Sequence, residues 1–147
     1  MTKIPVGGET ELPPEGEALL EAARAVQSRA YAPYSRFLVA AALRDENGMI
    51  HVGVNVENAA YPNGTCAETA AITAMVTAGA REIAAIAIVG GKGDFCPPCG
   101  ACRQRIREFA RPSALIFLSD ENSQRRVHTL GELLPESFGP AHLLSNS

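Results

Sequence analysis

At 147 residues the chain has the length of one domain, enough to bury a single core without disulfide staples. A net charge of -3 gives no general attraction to phosphate backbones or anionic membranes, which disfavours a nucleic-acid partner and favours a small molecule. No apolar run approaches the roughly 18 residues that would span a bilayer, and Glu9, Glu11, Pro13 and Pro14 stand where a signal peptide would be apolar, so the expected location is the cytoplasm.

Residues 1–14 are rich in Gly, Pro and Glu without an apolar period and read as a flexible, dispensable tail, followed by one domain over residues 15–147. From Glu15, the apolar spacing of Leu19, Leu20, Ala23, Val26 and Ala30 predicts a helix, ended by Tyr31-Ala32-Pro33-Tyr34 because proline disfavours helix in the residue before it. Phe37 to Leu43 and Met49 to Asn55 are apolar runs joined by Asp45-Glu46-Asn47-Gly48, a hairpin signal, so they should pair antiparallel. Thr65 is positioned to cap a helix running to Gly79 that is apolar nearly all round and is therefore expected to be buried centrally. Ile83 to Val89 reads as a strand covered on both faces. A short helix from about Cys99 to Ala110, strands at Ala114 to Leu118 and Arg125 to His128, and a helical turn at Leu130 to Leu134 complete the chain. The expected architecture is an α/β, three-layer α-β-α sandwich with a mixed sheet of about five strands.

The cysteines carry the chemical signal. Cys66-Ala67-Glu68 is followed about thirty residues later by Pro98-Cys99-Gly100-Ala101-Cys102. Three protein ligands leave the fourth position of a tetrahedral zinc open to water, and an adjacent carboxylate that is not a ligand can carry that water's protons, the pattern of zinc-dependent nucleobase deaminases. Cys66 and Glu68 are two positions apart and cannot share a lateral helix face, so the metal should lie off the helix's N-terminal pole. Other readings are a structural site closed by Cys96, a Cys-x-x-Cys redox pair, or inert buried thiols. Pro97-Pro98 stiffens the link from Cys96, and none of the three uses Glu68. His51, His128 and His142 have no metal spacing.

The motifs Tyr31-Ala-Pro-Tyr-Ser35, Phe37, Asn55-Val-Glu-Asn58, Cys66-Ala-Glu68, Pro98-Cys-Gly-Ala-Cys-Arg-Gln104 and Leu133-Leu-Pro-Glu-Ser-Phe-Gly139 occur in order. In this the chain resembles the homotetrameric cytidine deaminase family, over nearly all of its length after the N-terminal tail. The resemblance implies one Zn2+ per subunit held by Cys66, Cys99 and Cys102, with Glu68 shuttling protons while hydroxide delivered at the zinc adds to C4 of cytidine or 2′-deoxycytidine. It implies ribose contacts from Asn55 and Glu57, base contacts from Phe37, and pyrimidine-edge hydrogen bonds from the backbone at Ala67 and Pro98. It also implies a homotetramer in which Tyr61 and Phe138 reach a neighbouring subunit's site.

The chain departs from that pattern at Thr69, where three-cysteine members usually have an arginine that offsets thiolate charge; Arg103 is the remaining candidate for this role. Arg36, Leu38 and Ala40 replace the commoner His, Pro and Gly of the first strand. A deaminase of a modified cytosine nucleoside such as blasticidin S is the alternative activity. A non-enzymatic zinc or nucleic-acid module, suggested by Arg103, Arg105, Arg107 and Arg111, is a third reading that the acidic chain disfavours.

Overall fold

The computed structural model describes residues 11–144. Helix α1 (Pro14–Gln27) is followed by strands β1 (Val39–Asp45) and β2 (Ile50–Val54), helix α2 (Ala67–Thr77), strand β3 (Ile83–Gly90) and helix α3 (Gly100–Phe109). Strands β4 (Leu115–Ser119) and β5 (Arg125–Thr129) and the short helices α4 (Leu130–Leu133) and α5 (Ala141–Leu144) complete the order. The five strands lie in the order β2-β1-β3-β4-β5; only β3 and β4 run parallel, so the sheet is mixed as expected. Among the described residues no helix is long and apolar enough to cross a membrane.

Strand alternation divides the interior into two halves. Ala40, Ala42, Ala87, Val89 and Phe117 face α1, where they meet Leu19, Leu20 and Ala23. Ala41, Leu43, Ile86, Ile88, Ile116 and Leu118 face the other way, against Ala67, Ala71, Ile72 and Met75 of α2 and Ile106 of α3. Both faces of the central strands are therefore covered, which is why β3 reads as a continuous apolar run without alternation. On the α1 side three of the six buried strand positions are alanine, and Phe117 packs against the helix; a methyl group at Gly16 would stand 2.9 Å from its ring.

The packed region begins earlier than Glu15. Leu12 is buried in the α1-side cluster and Pro13 caps α1, so the stretch expected as a tail contributes to the core at its end; residues 1–10 lie outside the described residues. Helix α1 stops at Gln27, three residues before Ala30, because Tyr31 pairs with Val56 and donates to Asn55 O at 3.0 Å, so the chain must turn first.

The expected cap of α2 is displaced by one residue. Thr65 is held extended by reciprocal backbone bonds with Val56, 2.9 Å in each direction, so Cys66 takes the N-cap position and makes no side-chain cap. Helix α2 is also less enclosed than its composition suggests: Ala67, Glu68, Ala71, Ile72 and Met75 are buried, while Thr73, Thr77 and Ala78 are exposed.

Candidate active site

The N-terminal ends of α2 and α3 meet beyond one face of the sheet. Cys66 is the N-cap of α2, Cys99 the N-cap of α3, and Cys102 lies in the first turn of α3. Their three ligand atoms are all within 4.8 Å of one another, and no other group of this kind occurs among the described residues. Sulfur ligands at about 2.3 Å from a tetrahedral zinc stand roughly 3.8 Å apart, so the trio fits that ion with small adjustments. Cys96 does not join the group; its Sγ packs beside Gly90, where an added methyl would meet it at 2.9 Å.

The thiols are electrically unequal. Burial pushes Cys66 and Cys102 above the ordinary thiol range, and the Glu68 carboxylate beside Cys102 raises it further. Burial also opposes ionisation of Cys99, but hydrogen bonds from the Cys102 backbone and from the neighbouring thiols outweigh it and bring Cys99 down. Cys96 is pushed up to about 11, chiefly by burial. A divalent cation binds thiolates, so loading the trio displaces protons that burial otherwise retains. The helix N-termini bring roughly half a positive charge each to the same point.

Glu68 is 4% exposed and lies in the first turn of α2, two residues past Cys66. It lines a cavity of about 620 Å³ together with Cys66, Ala67 and Cys99. That volume is in the range of small-molecule sites. Asn55, Glu57 and Tyr61 line it too, as do Tyr34, Ser35 and Asn58, to which no site role had been given from the sequence. Tyr34 meets Tyr61 edge-on at 6.1 Å.

Asn55 and Glu57 fasten the loop before β1. Asn55 Oδ1 accepts from Val39 N at 2.8 Å and its Nδ2 donates to Phe37 O at 2.9 Å. Glu57 Oε1 accepts from Tyr34 N at 2.9 Å and Ser35 N at 3.1 Å. The Ser35 side chain does most to hold the Glu57 carboxyl below the usual range; burial opposes it and the two backbone donors assist. Arg36, between Ser35 and Phe37, has φ of +59°, a left-handed conformation.

Other predicted positions lie off the cavity lining. The Phe37 ring packs on Gly91, where an added methyl would approach it to 2.1 Å. Pro98 is buried and its carbonyl accepts from Arg103 Nε at 2.8 Å, while Arg103 Nη1 donates to Leu133 O at 2.9 Å. Phe138 is 58% exposed and absent from the cavity wall. Ala40 points into the α1-side cluster, so its departure from the family pattern does not face the site.

Residues 14–119 match the family described as "Cytidine and deoxycytidylate deaminase zinc-binding region". A cytidine deaminase from Sporosarcina psychrophila is 39% identical over 127 residues, 86% of this chain and 93% of that protein. One from Mycobacterium tuberculosis is 41% identical over 110 residues, 75% of this chain and 79% of that protein. Among solved structures, cytidine deaminase from Burkholderia pseudomallei aligns with a TM-score of 0.79 and 44% identity, covering 83% of this chain and 98% of that one. The three converging thiols, the buried glutamate beside them and these likenesses together establish that the chain belongs to the cytidine and deoxycytidylate deaminase family of zinc enzymes.

Proposed function

We propose that the chain deaminates cytidine and 2′-deoxycytidine hydrolytically to uridine and 2′-deoxyuridine, releasing ammonia, and serves pyrimidine salvage in the cytoplasm. The observation that carries this reading is the buried Glu68 carboxylate on the wall of a nucleoside-sized cavity, beside a trio of cysteines that fits zinc. The chemistry supplied by bound zinc is acidification of a water at the open fourth position, so that hydroxide is available near neutral pH.

Glu68 accepts the proton this water gives up and passes it to N3 of the ring, which draws electron density from C4 and removes the aromatic resistance to attack. Once hydroxyl has added to C4, the same carboxylate carries the remaining hydroxyl proton to the exocyclic amine. Ammonia leaves as the C4 carbonyl of uridine forms. Asn55 keeps one amide hydrogen and one lone pair beyond its two bonds to the backbone, and Glu57 keeps acceptor capacity, so both can bind ribose hydroxyls. Ala67, on the cavity wall, offers its backbone to the pyrimidine edge, and the reading extends this contact to the Pro98 carbonyl and to Phe37, both of which lie off that wall.

Three thiolates and one divalent cation sum to -1, which weakens the pull on water. The two helix ends offset much of this, and Arg103, directly after Cys102, supplies a full positive charge where Thr69 cannot.

The same reading assigns a homotetramer with shared sites. Phe138 and Tyr61 are 58% and 78% exposed, and Tyr31, Tyr34 and Val56 are also open to solvent, with Tyr34 edge-on to Tyr61 and Tyr31 bridged to Val56, apolar surface that further copies of the chain would cover.

An ultraviolet assay of nucleoside conversion, with metal quantification on wild type and Glu68→Gln and with blasticidin S as comparison substrate, tests the proposal. Glu68→Gln should retain zinc and lose at least about 100-fold in kcat. A variant with wild-type turnover, or active protein without zinc, would sink it.

A further inference from the structure

The helix that carries two of the thiols also grips the C-terminal segment. From α3, Arg103 Nη1 donates to Leu133 O at 2.9 Å, Gln104 Nε2 to Phe138 O at 2.8 Å, and Arg107 Nε to Ser137 Oγ at 2.8 Å. The fit is close, since a methyl group at Gly139 would meet Arg107 Cζ at 2.7 Å. Glu136 holds φ of +47°, left-handed backbone that side chains with a Cβ disfavour, so the path of this segment is imposed by its anchors. Beyond it, the His142 ring stacks on Phe138 with centroids 4.9 Å apart and planes inclined by 21°. His142 Nδ1 accepts from Gly139 N at 3.0 Å, which fixes the ring behind Phe138.

All this order converges on a ring that is 58% exposed and lines no part of the cavity in its own chain. Holding an exposed aromatic still costs side-chain entropy and gains little burial in return. The cost is recovered when a ligand lands on the ring, because a contact ordered in advance need not be ordered on binding. The stack takes one face of Phe138, and with more than half of the residue open to solvent the ring can still receive a planar base.

We propose that Gln104 and His142 are positioning residues that hold Phe138 as a preformed wall against the nucleoside bound in a second copy of the chain. This rests on the reading of Phe138 given above and extends it to two residues outside the cavity. Gln104 fixes the backbone and His142 the ring, so neither touches the reacting atoms. Their loss weakens ground state and transition state alike and is read in KM, with kcat unchanged.

The test is steady-state kinetics on the assembled, zinc-loaded enzyme, with oligomeric size followed by light scattering. The variants are Phe138→Ala, His142→Ala, Gln104→Ala, His142→Phe and each alanine change combined with Phe138→Ala. His142→Ala and Gln104→Ala should each raise KM roughly three- to ten-fold. His142→Phe, which keeps a stacked ring but loses the Nδ1 tether to Gly139, should give a KM between wild type and His142→Ala, and neither alanine change should raise KM further once Phe138 is alanine. Wild-type KM in both single variants, beside a raised KM in Phe138→Ala, would overturn the positioning role and leave Phe138 in place. A KM increase that persists in the Phe138→Ala background, or a His142→Phe variant as impaired as His142→Ala, would overturn it as well. Wild-type KM in Phe138→Ala would remove both the wall and its supports. Gln104→Ala carries the same comparison if His142→Ala does not fold.

Discussion

Gly53 on β2 lies so close to Ala71 on α2 that a methyl group added to the glycine would stand 2.4 Å from the Ala71 amide nitrogen and 2.6 Å from the Ala67 carbonyl oxygen. Both are backbone atoms, so no side-chain rotation can make room. The glycine sets how near α2 sits to the sheet, and α2 carries Cys66 and Glu68 at its leading end. Gly53→Ala should therefore destabilise the fold by about 2 kcal/mol, the scale of core overpacking. A displacement of about 1 Å at the N-terminus of α2 would lower kcat on the order of 100-fold in the protein that remains folded. Thermal unfolding and kcat of the purified variant measure the two effects separately. A variant with wild-type kcat would mean that β2, and not α2, yields.

The division among the four cysteines gives a second expectation. Cys66, Cys99 and Cys102 converge, whereas Cys96 packs beside Gly90 with its thiol pushed up to about 11 by burial. Cys96→Ser should leave one zinc per chain, and Cys99→Ser or Cys102→Ser should lose it. Because burial raises Cys66 and Cys102, zinc competes with protons for them, and affinity in the wild type should fall as pH is lowered. Metal content after dialysis against a chelator at graded pH checks both statements. Loss of zinc in Cys96→Ser would return the four-thiol structural site to consideration.

Much of this arrangement is local enough to be legible in the chain. The hairpin follows from Asn47-Gly48, the buried strand β3 from its unbroken apolar run, and the metal trio from spacing plus the carboxylate at Glu68. What was not legible depends on partners far away in sequence. Thr65 looks like a helix cap until Val56 claims its backbone, and that pairing joins the end of one loop to the start of the next element. The C-terminal anchors join α3 to residues about thirty positions later through side-chain bonds that no periodicity announces. Helix α5 has four residues, too few to carry a period. The α2 surface bearing Thr73 and Thr77 looked central by composition, yet only one side of that helix meets the sheet.

Arg103 separates a structural from an electrostatic role. Its guanidinium bridges Pro98 O and Leu133 O, and its charge lies directly after Cys102. If the charge offsets the thiolates, Arg103→Ala should leave the metal-bound water less acidic and move the acidic limb of the kcat profile upward in pH. If the bridge alone matters, the melting temperature falls and the limb stays where it is. The pH dependence of kcat on fully loaded enzyme distinguishes the two outcomes, and an unchanged profile discards the compensating role.

Acid stability should report on the β1–β2 hairpin. Asp45 is nearly buried; its Oδ2 contacts His51 Nε2 at 2.7 Å, and its Oδ1 accepts from Asn47 N at 2.8 Å and Met49 N at 3.0 Å. The hydrogen bond with His51 does most to hold its carboxyl below the ordinary value of 3.8; burial opposes the shift, and the two turn amides reinforce it. A depressed folded-state value means that stability is present above 3.8 and is lost as pH falls through the lower folded value. Asp45→Asn keeps an acceptor for the turn amides but removes the ionisation. The variant should melt earlier than wild type at neutral pH, and its melting temperature should decline less steeply below pH 3.8. Parallel acid limbs in melting curves of the two proteins would show that the hairpin carboxylate does not set this loss.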